Sequence, residues 1–400
     1  MSPPSAPASR PALYVLSFGN LVVGTGTLII AGIINEMAAG LATSAAAIGQ
    51  LITGYGLAVC FGAPLLASLT SRFDRRPLLT GALLLFAAGH LLAAFAPGYG
   101  SVLALRVITG FGAAIFTPQA AAAAGLLAPP EQRGRAIALV FLGFSIATVL
   151  GMPLGAYLGA HFGWRAAMAV VGILALACAA LLRFILPAGL HVKPIGAAEW
   201  RSVTHDAGLL LTVAVTVVQG AAQFVVFTYI AKLFHDLVGA TPATVSLLLM
   251  WFGVFGIIGN VVAGMTMDRA GATHVALAAI AVMLAAFLIW PLTQGSLPVM
   301  VLACALWGLG CFAINSAQQA RLVELSPPLA PVSIALNSSG IYLGQAFGAA
   351  VGGVVLAQGR PGLLSWIGVA VFALAIALGL AAQARPVRAA APQSKAARRS

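Results

Sequence analysis

Ala67-Ser-Leu-Thr-Ser71-Arg72-Phe73-Asp74-Arg75-Arg76 is a short basic stretch between two long apolar runs. It has a counterpart in the second half of the chain, Gly264-Met-Thr-Met-Asp268-Arg269-Ala270-Gly271, which begins 197 positions later. The same offset pairs four small residues with four glycines: Gly143, Ala147, Gly151 and Gly155 with Gly340, Gly344, Gly348 and Gly352. Because one offset aligns two different motifs, the chain contains two related halves.

The composition is that of a membrane protein. Of the 400 residues, 61% are hydrophobic and only 7% are charged, and the mean hydropathy is +1.04. Soluble proteins carry about 25% charged residues. Apolar runs of about 20 residues, the length that crosses a bilayer, recur along the sequence. We therefore predict an all-α membrane protein embedded in a lipid bilayer.

Twelve membrane spans can be drawn, six in each half. They are 12–34, 47–69, 77–96, 101–127, 136–158 and 165–186, then 207–230, 242–265, 273–292, 298–318, 332–356 and 363–384. The predicted domains are an N-terminal segment (1–11), a six-helix bundle (12–186), a linker (187–206), a second six-helix bundle (207–384) and a basic tail (385–400). Two repeated halves of this kind are typical of secondary transporters.

The formal net charge of +12 is explained by the distribution of Lys and Arg between the two faces of the membrane. If the spans alternate from a cytoplasmic N-terminus, only Arg165, Lys232 and Arg360 lie on the opposite side, and Arg106 lies within a span. All other Lys and Arg residues are then cytoplasmic, as the positive-inside rule requires. We expect no nucleic-acid partner, and both termini in the cytoplasm.

The sequence shows no enzyme or metal site. The four cysteines, Cys60, Cys178, Cys304 and Cys311, fall inside spans and lack metal-ligand spacing. The eight acidic residues are too few and too scattered for paired catalytic carboxylates, and no phosphate-binding loop is present. We therefore expect no catalytic residue, cofactor or metal.

The basic stretch resembles the Gly-x-x-x-Asp-Arg-x-Gly-Arg-Arg motif of the major facilitator superfamily, in particular its twelve-helix drug/proton antiporters. Arg72, Arg75 and Arg76 match this motif, whereas Ala67, Ser71 and Asp74 depart from it. The second copy matches through Gly264, Asp268, Arg269 and Gly271. The resemblance implies a cytoplasmic gate formed by Arg72, Asp74, Arg75, Arg76, Asp268 and Arg269. The alternative is a positive-inside anchor with no gating role.

Further motifs support this resemblance. Arg106-Val-Ile-Thr-Gly110-Phe-Gly112 is similar to the family's motif in span 4, and Gly151-Met-Pro153-Leu-Gly155 is similar to its antiporter motif. The stretch from Asn337 to Gly353 resembles arabinose-efflux-permease-like proteins. The chain as a whole is also similar to purine-efflux and chloramphenicol-resistance exporters. Spacing of four residues places small side chains on one face, predicting close helix packing at Gly151, Pro153, Gly155, Gly344, Gly348 and Gly352. This is either ordinary packing or a contact that closes across the interface between the halves.

Charges within the bilayer are costly and indicate function. Arg106 is the basic residue within a span, and Glu36 is the acid nearest membrane depth on the same side. We expect the two to face each other, with Glu36 carrying a coupling proton. Alternatively, Glu36 is solvated and Arg106 binds backbone carbonyls. His90, in span 3, is either a packed residue or a second proton carrier.

In the family fold, spans 1, 4, 7 and 10 line a central cavity. The candidate substrate ligands there and in span 11 are Asn20, Thr27, Thr117, Gln119, Gln219, Gln223, Asn315, Gln319, Asn337 and Tyr342. Amides and hydroxyls donate and accept hydrogen bonds without charge, which suits a neutral polar or amphipathic solute. The alternative for each residue is a hydrogen bond between helices.

The function expected from the resemblance is proton-coupled efflux of a drug, sugar or purine nucleoside by alternating access. The expected location is the bacterial inner membrane, with a monomer as the working unit. An uptake symporter and a receptor that has lost transport are the alternatives.

Overall fold

The computed structural model describes residues 10–70, 72–129, 132–191, 197–326 and 330–383, and within them the side chains of residues 134, 197–200, 268, 330 and 331 are not described. The predicted N-terminal segment (except residues 10 and 11), the tail, Ser71 and the side chain of Asp268 therefore lie outside the description. The described part is helical and contains no strand.

The helices follow the predicted spans closely. They are α1 (Arg10–Gly32), α2 (Ile34–Gly40), α3 (Ala45–Leu69), α4 (Arg75–Ala94), α5 (Tyr99–Leu127), α6 (Arg133–Ile146), α7 (Met152–Phe162), α8 (Trp164–Ile185), α9 (Ala197–Thr204), α10 (Ala207–Phe227), α11 (Ile230–Val238), α12 (Pro242–Ala270), α13 (Ala272–Ile289), α14 (Leu297–Leu325), α15 (Ala330–Ala357) and α16 (Leu363–Gln383). Within the described residues, twelve helices are long and apolar enough to cross a membrane, α6 and α7 together forming the fifth.

An even number of spans places both ends of the described chain on one membrane face, called here the terminal side; the other face is the far side. The predicted linker runs between α8 and α10 on the terminal side and contains α9.

Spans 1 and 7 break at equivalent places in the two halves. Span 1 breaks at Ile33, where φ is −116° and ψ is 21°, and continues as α2. Span 7 breaks at Thr228 and Tyr229, with φ −110° and ψ 15° at Tyr229, and continues as α11. The short helices α2 and α11 contact each other on the far side. The internal repeat therefore extends to helix breaks that the sequence analysis did not predict.

The fifth span contains a π-helical turn, Ala147–Gly151, just before Pro153. Proline has no backbone N–H, and its ring clashes with the carbonyl four residues earlier, so it disturbs a regular α-helix. A π turn absorbs this mismatch without ending the helix. Pro153 is buried, consistent with the packing role predicted for it.

The small residues spaced along spans 5 and 11, called here the glycine ladders, pack inside each bundle. They are Gly151 and Gly155 in the first bundle and Gly344, Gly348 and Gly352 in the second. A Cβ atom on Gly155 would lie 2.6 Å from the Ile29 side chain of α1, and Gly151 directly adjoins Thr25 of the same helix. In the second bundle, a Cβ atom on Gly352 would lie 2.6 Å from the Val225 carbonyl oxygen of α10, and Gly344 also faces α10. These contacts fit ordinary packing, one of the two interpretations of the ladders, because the faces without side chains are occupied by the first helix of the same bundle.

Other glycines lie in close contact between the bundles, and two of them are related by the repeat. A Cβ atom on Gly56 of α3 would lie 3.2 Å from the Cβ of Ala346 in α15, and one on Gly253 of α12 would lie 2.8 Å from the Cα of Val149. Gly56 and Gly253 are 197 positions apart, as are Val149 and Ala346, so the two contacts are related by the repeat.

The described contacts between the bundles concentrate towards the far side. In the fifth span, the far-side part, the π turn and α7, packs against α12. Tyr229 is fully buried between α3 and α15, and its hydroxyl donates to the Ala349 carbonyl at 2.8 Å. A Cβ atom on Gly353 would lie 2.7 Å from this hydroxyl, and Gly49 of α3 also adjoins it. The structure is therefore closed on the far side.

Gly348→Leu tests the packing role of the second ladder. A Cβ atom there would lie 2.5 Å from the Ala221 carbonyl oxygen, so the larger side chain must push α15 away from α10. We expect the free energy of unfolding to fall by about 2 kcal/mol, as for other overpacked sites. Thermal unfolding can be followed with a thiol-reactive dye, because three of the four free cysteines are buried. Gly81→Leu is the control, since no atom lies within 4 Å of a Cβ at Gly81; equal stability of the two variants would contradict the prediction.

Candidate functional site

Arg106 is a buried charge in the interior of the first bundle. It lies on α5, is 1% exposed, and its Nη1 donates to the Gly26 carbonyl of α1 at 2.9 Å. Its guanidinium lies over the ring of Tyr55, 4.4 Å from the ring centroid. The Nε and Nη2 groups have no hydrogen-bond partner. Since a buried donor without a partner costs free energy, these two N–H groups are available to a ligand.

Tyr55 connects this charge to the second bundle. Its hydroxyl and that of Thr27 are 2.7 Å apart, and Thr27 also donates to the Val23 carbonyl. The ring of Tyr55 meets the ring of Tyr342 edge to face, with centroids 6.3 Å apart. Arg106, Tyr55 and Tyr342 therefore form a continuous chain of contacts from α5 across the bundle interface to α15.

His90 packs tightly beside Gly26, the residue whose carbonyl binds Arg106. It is fully buried, and its Nδ1 lies 3.0 Å from the Phe86 carbonyl, which only a protonated ring nitrogen can satisfy. A Cβ atom on Gly26 would lie 2.7 Å from His90 Nε2, so the absence of a side chain at position 26 makes room for the imidazole. These contacts fit the packed residue that was one of the two interpretations of His90.

In the second bundle, Trp307 begins a chain of hydrogen bonds that runs through two glutamines. The Trp307 indole donates to Gln223 Oε1 at 3.1 Å, and Gln223 Nε2 donates to Gln219 Oε1 at 2.6 Å. Four aromatic rings surround the indole at steep angles: Phe227, Phe252, Phe287 and Trp290. Such edge-to-face packing fixes the indole, and with it the Gln223 amide.

A second polar group links α10, α14 and α15. Thr216 donates to Asn337 Oδ1 at 2.6 Å, and Gln318 Nε2 lies 3.1 Å from the Thr216 hydroxyl and 2.9 Å from the Thr212 carbonyl. Asn337 Nδ2, Gln318 Oε1 and Gln345 Nε2 remain buried without partners. This group therefore has unused hydrogen-bonding capacity.

The other candidate substrate ligands have varied surroundings. Asn20 Nδ2 donates to the Val140 carbonyl at 3.1 Å, which leaves its Oδ1 buried and unpaired, and the Thr117 hydroxyl is also buried and unpaired. Asn315 donates to the Cys311 carbonyl of its own helix at 3.4 Å. Gln119 is buried and Gln319 half-buried. Asn20, Thr27, Gln219, Gln223 and Asn337 thus take part in helix contacts, as the alternative interpretation anticipated.

Glu36 lies in α2, at the edge of a cavity of about 260 Å³ between the two bundles on the far side. Its neighbours in this cavity include Asn35 of α2 and His235 of α11. Its Oε2 atom is buried and unpaired. Burial raises the pKa of Glu36, and a hydrogen bond from its own backbone N–H opposes this only in part.

The expected pairing of Glu36 with Arg106 is absent from this conformation. Among the described residues the structure contains one ion pair, Lys232–Asp236, at 2.9 Å. Arg106 instead contacts the Gly26 carbonyl and the Tyr55 ring, as the alternative interpretation anticipated. Glu36 lies in α2, the short helix that follows the break in span 1. Sequence position could not show this, because the break at Ile33 redirects the chain after α1.

The basic loop on the terminal side is tied to its own bundle and to the linker. Arg75 is buried and its Nη1 donates to the Thr70 and Phe73 carbonyls at the end of α3. Asp74 caps α4 by accepting from the Arg76 amide at 2.9 Å, and it also accepts from the amide of Gly189. Arg72 and Arg269 are exposed. These hydrogen bonds hold the start of the linker in place. The gate that the resemblance implies stays a prediction, because Ser71 and the side chain of Asp268 lie outside the described residues.

Asp74 is held in its charged form by these contacts. Partial burial would raise its pKa, but hydrogen bonds from the Gly189 and Arg76 amides, with the charges of His191 and Arg76, keep the pKa below its ordinary value. The aspartate replaces the glycine of the family motif, so the departure from the motif adds a helix cap.

Sequence reasoning missed two residues of this site. Tyr55 was not identified, although a tyrosine within an otherwise apolar span is a signal for a buried hydroxyl with a partner. His235 was not identified either, because nothing in the sequence places α11 against α2.

Comparisons with known proteins agree with this architecture. The family model of the Major Facilitator Superfamily matches residues 16–239 and 225–400. A "Probable sugar efflux transporter" of Helicobacter pylori (strain G27) is 27% identical over 91% of this chain and 93% of its own length. A "Chloramphenicol resistance protein" of Streptomyces lividans is 32% identical over 66% of this chain and 69% of its own length.

Among solved structures, the D-xylose-proton symporter superposes with a TM-score of 0.74 at 20% identity. The superposition covers 92% of this chain and 97% of the symporter. The predicted fold of twelve helices in two bundles is confirmed.

Asp74→Ala tests the cap and the tie to the linker. Loss of a helix N-cap costs about 1 kcal/mol, so we expect lower thermal stability at pH 7. Because the pKa of Asp74 is lowered in the folded protein, its contribution is present above the ordinary aspartate pKa of about 4 and is lost as the pH falls through the lowered value. The difference in melting temperature between wild type and variant should therefore shrink below pH 4. Asp236→Ala, at the exposed ion pair, is the control; a difference independent of pH would refute the assignment.

Proposed function

Because this chain belongs to the Major Facilitator Superfamily, we propose that it exports a small neutral polar or amphipathic solute by proton-coupled alternating access. It is a membrane transporter and not an enzyme. Drugs, sugars and purine nucleosides are the solute classes proposed. The transporter works as a monomer in a bacterial inner membrane, with its termini in the cytoplasm.

One observation carries the choice of a neutral solute: the unpaired polar atoms on the two bundles are mostly uncharged. Asn20 Oδ1 belongs to the first bundle, and Asn337 Nδ2, Gln345 Nε2 and Gln318 Oε1 belong to the second. An unsatisfied amide in a bilayer interior is costly, so these groups favour a solute that supplies donors and acceptors. Arg106 adds two unpaired donors for a carbonyl or similar acceptor on the solute.

The direction of transport rests on the relatives and on charge. Two relatives are described by their names as a probable sugar efflux transporter and a chloramphenicol resistance protein, and export of the drug would account for the second name. Exposed arginines on the terminal side, among them Arg72, Arg183 and Arg201, support its assignment to the cytoplasm. The conformation closed on the far side is then the one that receives solute from the cell.

Glu36 is the group proposed to bind the coupling proton. Burial in the far-side cavity raises its pKa, so the closed conformation binds a proton more tightly than one in which the carboxyl is solvated. A proton taken up from the far side would therefore favour closure of that side, which is the return step of an export cycle. The proton must then be released to the cytoplasm before the far side reopens, so that its inward movement drives export of the solute.

Solute accumulation in efflux-deficient bacteria tests the proposed function. Cells expressing the protein would be given neutral drugs, pentoses and purine nucleosides, each with and without a protonophore. We expect lower accumulation of one class, restored by the protonophore. Higher accumulation would favour an uptake symporter. Specific binding with no flux in either direction would favour a receptor.

Glu36→Gln separates proton coupling from solute exchange. Glutamine imitates the protonated side chain, so we expect gradient-driven efflux to be lost while exchange of labelled for unlabelled solute continues. The measurement is flux in proteoliposomes with and without an imposed pH gradient. Asp236→Asn, on the neighbouring exposed ion pair, is the matched control and should retain driven efflux. Normal driven efflux in Glu36→Gln would exclude this carboxyl as the proton carrier.

A further inference from the structure

We propose that the first bundle carries a binding site for an anionic phospholipid on the terminal side. The site is a cavity of about 340 Å³ between the start of α1, the end of α5 and the start of α6. Arg10, Gln132 and Arg135 supply its polar lining, and Leu13, Tyr14 and Leu139 supply much of its apolar lining. This inference does not depend on the direction of transport or on the transported solute.

Two arginines from different helices converge on this cavity. Arg10 is the first residue of α1 and Arg135 is in the first turn of α6, and both are exposed. The one ion pair among the described residues is Lys232–Asp236, so neither guanidinium is neutralised there; Glu131, next to Gln132 in sequence, lies outside the described residues. Guanidinium groups bind phosphate through paired N–H donors, so this rim favours a phosphate.

The lining changes from polar to apolar along the helix axes. Leu13 lies three residues beyond Arg10, and Leu139 lies four beyond Arg135, which at 1.5 Å per residue is a descent of roughly 5 Å into the membrane. Tyr14 is 59% exposed, as is typical of aromatic residues at the membrane interface. A phospholipid has the same order, with its phosphate at the interface and its acyl chains below. A soluble anion would use only the polar rim.

The cavity is separate from the candidate transport site. Along α1, Asn20 lies seven residues beyond Leu13, and Gly26, which binds Arg106, lies further still. Basic pockets between transmembrane helices on the cytoplasmic side are known to bind anionic headgroups. Occupation of this pocket would hold the ends of α1 and α6 together while the transport site stays free.

Native mass spectrometry of the purified full-length protein tests the proposal. The probes are phosphatidylglycerol and phosphatidylcholine with identical acyl chains, titrated separately. We expect preferential retention of phosphatidylglycerol by the wild type. The double variant Arg10→Ala/Arg135→Ala should bind it about tenfold more weakly or worse, since each membrane-proximal arginine contributes to binding of anionic lipid. Binding of phosphatidylcholine should not change.

The double variant Arg183→Ala/Arg201→Ala is the matched control. It removes the same charge from exposed positions on the same membrane side, outside the cavity. Equal loss of phosphatidylglycerol in both double variants would show a general charge effect and overturn the site. A wild type without preference for phosphatidylglycerol would also overturn it. Displacement of the lipid by millimolar inorganic phosphate would assign the rim to a soluble oxyanion instead.

A third variant tests the site independently, in case the Arg10→Ala/Arg135→Ala protein does not fold. Leu139→Trp keeps both arginines and fills the apolar part of the cavity, where Leu139 is only half-buried. We expect it to reduce retention of phosphatidylglycerol while its melting temperature in phosphatidylcholine remains that of the wild type. Unchanged retention in this variant would show that the acyl chain does not occupy the cavity and would reject a phospholipid as the ligand.

Discussion

A bilayer interior offers no water to hydrogen-bond, so every backbone amide and carbonyl within it must find its partner inside the protein. Helices satisfy this requirement, and the described chain is accordingly helical wherever it crosses the membrane. Side-chain polar groups face the same constraint. Most buried hydroxyls and amides are used in helix contacts, such as Thr216 with Asn337. The few that remain unpaired stand out for this reason.

Close helix packing is the second consequence of this environment. Lipid is as apolar as a leucine side chain, so helices associate through backbone contact at small residues. Within the bundles, the glycine ladders bring α6 and α7 against α1, and α15 against α10. Between the bundles, close contact is made at Gly49, Gly56, Gly253 and Gly353. Close approach at small residues therefore holds helices together within each bundle and also joins the two bundles.

The sequence was sufficient to predict the number of spans, their approximate ends and the repeat, because apolar length and the 197-residue offset are properties of the sequence itself. It also identified which residues form the glycine ladders. The partners of those ladders could not be predicted, since a face without side chains fits any helix that approaches it. The separation of Glu36 from Arg106 could not be predicted either, because it depends on the break at Ile33. Gly32 precedes this break, but α1 also contains Gly19, Gly24 and Gly26 without breaking there, so a glycine alone does not predict it.

The two halves use the same positions for different chemistry. Gly26 and Gln223 are equivalent by the repeat, and each accepts a hydrogen bond from the fourth helix of its own bundle. In the first bundle the donor is the charged Arg106, which needs the bare backbone carbonyl of a glycine and the space that glycine leaves for His90. In the second the donor is the neutral indole of Trp307, which meets a side-chain amide. A symmetric scaffold thus presents a cation from one side and uncharged amides from the other. A fold does not by itself determine function, which depends on the side chains placed on it.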